Sequence, residues 1–94
     1  MSERKLVEEQ QRGHEAQRIL DHELVKQALD DIEAATVRKW EVAGGEKERE
    51  DLWRLYKVAK LFRDVLRSHI ETGKMAEFTL QQSLLEKAKQ RVFG

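Results

Sequence analysis

Ninety-four residues suffice for one small domain and not for two. With no proline, no cysteine, five glycines and 38% charged against 39% hydrophobic residues, the composition is that of an all-α protein. A β-rich chain would need turn formers, β-branched and aromatic residues that are scarce here, and the lack of cysteine excludes disulfides, thiolate metal sites and thiol nucleophiles.

Eighteen basic against eighteen acidic side chains leave no net charge to draw the chain toward nucleic acid or an anionic membrane. The balance is polar along the chain: residues 1–45 carry an excess of acid, and residues 46–94 an excess of base. No apolar run is long enough for a signal peptide or a membrane span, so the expected setting is the cytoplasm.

Residues 1–20 hold helix-forming residues, few apolar ones and Gly13 as an interruption. They predict a solvated helical arm, ordered mainly by contact with partners. Residues 21–94 are then a single domain. Asp21 is placed to cap a helix starting at His22, with Leu20 and Val25 as a hydrophobic staple. On that helix Leu24, Val25, Ala28, Leu29, Ile32, Ala35, Thr36 and Trp40 share one arc, and Lys26, Gln27, Asp30, Asp31, Arg38 and Glu41 lie mostly opposite. It should stop near Ala43, because Gly44 and Gly45 can supply a left-handed cap.

The next helix, from about Glu46 to Thr72, opens with Glu46, Glu48, Glu50 and Asp51 at the positive end of its dipole. So tight a turn makes the two helices antiparallel neighbours. Leu52, Leu55, Ala59, Phe62, Leu66 and His69 alternate three and four apart, and Tyr56, Val58, Leu61, Val65 and Ile70 widen the apolar arc to roughly 220°, more than one partner helix covers. Gly73 is the expected C-cap. Thr79 to Gln82 reads as a capping box for a short final helix, with Lys74 as an alternative start. The expected fold is an antiparallel helical hairpin with an N-terminal arm and a short C-terminal helix, and its predicted core is Leu24, Leu29, Ile32, Leu52, Leu55, Phe62 and Leu66.

No catalytic, cofactor-binding or metal-ligating set emerges. His14, His22 and His69 do not cluster at ligand spacing, Asp30 and Asp31 diverge on their helix, and Gly44-Gly45 lacks the Lys and Ser or Thr of a phosphate loop. What remains is a surface. Trp53 sits on the polar side of the long helix among Arg49, Lys57, Lys60 and Arg67. It reads as an interface anchor, as a platform for a single-stranded base, or as a side chain covered by the terminal segments of its own chain. Trp53, Tyr56, Lys57, Lys60, Arg63 and Arg67 are therefore the candidate interface, and Arg54, Lys57, Lys60, Arg63 and Arg67 form a stripe able to track phosphates.

Arg18-Ile19-Leu20-Asp21 leading into Leu24, Ala28-Leu29, Ile32 and Trp40, followed by Leu52-Trp53 and Thr72-Gly73-Lys74, resembles small helical proteins encoded in the virion-gene clusters of tailed bacteriophages and prophages. The resemblance covers about residues 15–76. It implies an oligomeric accessory component of virion assembly or DNA packaging, and it carries over no site residues. The expectation is a non-enzymatic protein that forms a homo-oligomer and contacts other proteins, without cofactor or membrane. The alternatives are a nucleic-acid-binding packaging or regulatory factor and a small adaptor or inhibitor of a host protein.

Overall fold

The computed structural model describes residues 2–93. They form three α-helices and no strand: α1 (Glu3–Asp21), α2 (Glu23–Val42) and α3 (Glu46–Phe93). Two compact units divide the chain. One joins residues 1–17 to 66–94; the other is Arg18–Val65. We call them the α1 unit and the α2 unit.

The ends of the helices differ from the sequence expectation. α1 runs unbroken through Gly13, and Asp21 is its last residue rather than the cap of the next helix. The cap is His22, in extended conformation, whose Nδ1 accepts from the Leu24 N–H at 3.2 Å. Because α1 does not fray before Asp21, only one residue is left to make the connection, and its imidazole supplies the acceptor that the first turn requires. α2 closes at Val42 without a left-handed glycine, since neither Gly44 nor Gly45 has positive φ. The Ala43 N–H donates to the Trp40 carbonyl, and Arg49 Nε donates to the Ala43 carbonyl at 3.2 Å. An arginine thus satisfies the helix end that glycine was expected to close.

α3 continues for 48 residues, so the separate C-terminal helix does not exist as an element. Gly73 lies inside the helix, and the Thr79 hydroxyl donates back to the Met75 carbonyl at 3.0 Å instead of capping a new start. Interior glycine costs roughly 1 kcal/mol of helix propensity, and no proline enforces a break, so packing decides the outcome.

In the α1 unit that packing is backbone against backbone. Gly13 and Gly73 face each other so closely that a Cβ built on Gly13 would lie 2.9 Å from the Gly73 Cα and 2.9 Å from the His69 carbonyl oxygen. Leu6 and Ala16 on α1, with Ile70 and Ala76 on α3, complete the buried seam. At its far end Lys87 Nζ donates to Glu3 Oε1 at 2.7 Å. This partner holds the Glu3 carboxyl below its ordinary value, first through the hydrogen bond and then through charge. The arm expected to wait for another protein thus lies against its own chain.

In the α2 unit the seam is made of larger and more polar groups. Leu29, Thr36, Ala43 and Ala59 are buried, and the Thr36 hydroxyl donates to the Glu33 carbonyl at 2.8 Å. Arg63 Nη2 donates to Asp30 Oδ1 at 2.8 Å, while its Nε faces Glu33 Oε1 at 3.7 Å, beyond hydrogen-bond length. The Asp30 hydrogen bond raises the Arg63 pKa above its ordinary value; desolvation opposes the shift and the charges of Glu33 and Asp30 add to it.

Of the predicted core, Leu29 is buried and Leu52 and Leu66 are half-buried. Leu24, Ile32, Leu55 and Phe62 are exposed, Leu24 by 67%. The seam of α3 in this unit follows Leu52, Tyr56, Ala59 and Arg63 instead of Leu52, Leu55, Ala59 and Phe62. Both rows have spacings of three and four, and Asp30 and Glu33 select the row that brings Arg63 to them.

Candidate functional site

The displaced row leaves an apolar stripe. At about 100° per residue, Leu55, Val58, Leu61, Phe62 and Val65 fall within an arc of roughly 120° on α3. Each is between 47% and 58% exposed. The neighbouring helix covers the seam and leaves this flank of the overwide apolar arc to solvent. Among the described residues no side chain reaches complete burial, as expected where each helix surface has a single neighbour.

A second feature lies on the opposite shoulder of α3. Thr36, Val37 and Trp40 from α2, with Leu52, Trp53 and Tyr56 from α3, line a groove of about 220 Å³. Its rings are mutually ordered. Trp53 and Tyr56 stack with centroids 5.7 Å apart and planes 20° from parallel. Arg49 lies 5.2 Å from the Trp40 ring, Lys57 Nζ 5.3 Å from Trp53 and Lys60 Nζ 4.9 Å from Tyr56. These are cation–π distances, worth about 0.5–1 kcal/mol at exposed sites. The i, i+4 spacings of 53 with 57 and 56 with 60 place each lysine over the ring one turn before it.

The six candidate interface residues therefore separate. Trp53, Tyr56, Lys57 and Lys60 come together around the groove, with Trp53 half exposed and both lysines exposed. Arg63 does not join them, because it is half-buried and held by Asp30 and Glu33. Arg67 lies one turn farther along α3 and has an interaction of its own. Trp40 completes the groove, and Arg49, expected beside Trp53, lies over Trp40 instead. The sequence places Trp40 on the apolar arc of α2, and only the arrangement of the two helices brings it beside Trp53.

The phosphate-tracking stripe is likewise shortened: Arg54 is bonded to Glu50 at 2.9 Å and Arg63 to Asp30. The histidines remain dispersed: His14 on α1, His22 at the α2 cap and His69 half-buried on α3. Among the described residues no group of three His, Cys, Asp or Glu side chains is arranged to hold a metal, and no helix is long and apolar enough to cross a membrane. Comparison with protein-family models, curated proteins and solved structures finds no match to the chain.

Proposed function

We propose that the protein is a non-enzymatic assembly component that associates with a second copy of itself through the Leu55–Val65 stripe of α3. The observation that carries this reading is the concentration of five large, half-exposed apolar side chains on one helix face. Contiguous apolar surface of that kind marks interaction sites in water-soluble proteins. Leu55 with Phe62, and Val58 with Val65, keep the seven-residue spacing that a facing helix can interdigitate with, so a helical partner fits. Zero net charge permits copies to approach without repulsion.

Within the α2 unit, Arg63 meets Asp30 and Glu33 while Arg49 meets Trp40 and Ala43. That order of contacts supports an antiparallel pairing of α2 with the first half of α3. In such a pair, Ile32 and the stripe residues project from the same side and extend one apolar face. The resemblance of residues 15–76 to phage proteins makes virion assembly or DNA packaging the setting we propose for this association.

Light scattering coupled to size exclusion tests the reading. A multimer that persists at low and high salt is expected, and Val58→Glu with Leu61→Glu should convert it to a folded monomer. A wild-type monomer under both conditions would overturn it.

A further inference from the structure

We propose that the Trp40–Trp53–Tyr56 groove is a docking site for one bulky aliphatic side chain of another protein, presented between acidic residues. The groove lies roughly 160° around α3 from the self-association stripe, so covering that stripe leaves it open. Its occupancy does not depend on the oligomeric state.

The chemistry of the occupant follows from what the groove offers. Trp40, Val37 and Leu52 present carbon, and the hydroxyl of Thr36 is already spent on the Glu33 carbonyl. A polar group entering here would give up its water to a lining that is nearly all carbon, whereas an aliphatic one would gain from burial. At about 220 Å³ the space falls below the roughly 300–1,000 Å³ of small-molecule sites and suits a single large side chain. The rim is cationic, formed by Arg49, Lys57 and Lys60. Lys57 and Lys60 lie against aromatic faces rather than carboxylates, so glutamates or aspartates beside the anchor would meet unneutralised charge.

A single-stranded nucleic acid fits less well. Its bases need free ring faces, but a cation lies over each of the three rings, and Trp53 and Tyr56 stack on one another. The same contacts hold the rings in place before a partner arrives, which reduces the entropy lost on binding.

The chain contains two tryptophans, Trp40 and Trp53, and both line the groove, so intrinsic fluorescence reports on it directly. The full-length protein is titrated with a blocked peptide carrying one leucine between glutamates, with versions in which lysines replace the glutamates or alanine replaces the leucine, and with oligo(dT). Saturable change in emission with the acidic leucine peptide is expected, weakened about tenfold or more by either peptide change and by Lys57→Glu with Lys60→Glu. Equal response to acidic and basic peptides, or to leucine and alanine peptides, overturns the proposal. A response to oligo(dT) alone does so in favour of nucleic acid. An emission shift on dilution of the protein alone that persists in Val58→Glu with Leu61→Glu and is abolished by Lys57→Glu with Lys60→Glu overturns it in favour of a second copy in the groove. Light scattering on the same samples separates this result from the fate of the self-association reading.

Discussion

The two units use opposite means to join a helix to α3. In the α1 unit the side chains are removed: Gly13 and Gly73 let the backbones touch, and Ala16 and Ala76 keep the seam thin. In the α2 unit the side chains fill the space: Trp40, Leu52 and Tyr56 line one end of the seam, and toward the other a half-buried Arg63 is held by two carboxylates. The first kind of contact is intolerant of any added atom. The second leaves gaps and exposed flanks, and both candidate interaction surfaces are found there.

The sharpest way to break the comparison is at the glycines. Gly13→Ala forces its Cβ to within 2.9 Å of backbone atoms that cannot rotate away, and overpacking of this kind costs about 1–3 kcal/mol. Chemical denaturation should show a loss in that range despite the better helix propensity of alanine. Gly44→Ala is the control, because nothing lies within 4 Å of its Cβ and its φ is not positive. There the same measurement should give no loss, or a gain of about 0.4–1 kcal/mol.

Arg63→Ala probes the other unit, since it strands Glu33, whose Oε1 has no hydrogen-bond partner. We expect a loss of about 1–3 kcal/mol, and Arg63→Met should recover part of it by keeping the aliphatic stem. Arg49→Ala leaves the Ala43 carbonyl without its donor and Trp40 without its cation. A loss of about 0.5–2 kcal/mol, typical of a cap, should appear together with a changed tryptophan emission.

The smallest effect belongs to Glu3. Its carboxyl sits below the ordinary value of 4.5 because of Lys87, so the pair's contribution is complete above that value. It is lost as pH falls through the depressed folded-state value. Lys87→Ala should flatten the acid limb of the stability profile by lowering its neutral-pH plateau slightly, with stability below the depressed value unchanged.

Much of this architecture was legible in the residues themselves. Helical periodicity and the scarcity of breakers announced an all-helical chain, though in four stretches where the structure has three, and Ala43 marked the end of α2 to within a residue. The differences share one cause. In sequence Gly13, Gly73 and Gly44-Gly45 read locally, as an interruption, a cap and a left-handed turn, because sequence shows a glycine's freedom but not its neighbour. At Gly13 and Gly73 the missing side chain serves a partner sixty residues away. Likewise, Leu55 and Tyr56 both continue a heptad-like row from Leu52, and nothing local distinguishes the two.

What the sequence determined by itself was helicity, the apolar excess on the long helix and the cationic neighbourhood of Trp53, because each depends on spacings within one helix. Tertiary structure decided which flank of that excess is buried, that α3 passes Gly73 without a break, that Trp40 joins Trp53 and that Arg49 covers Trp40. Those outcomes depend on contacts between residues distant in the chain, where a charge pair or the absence of a Cβ selects among rows that local periodicity leaves equivalent.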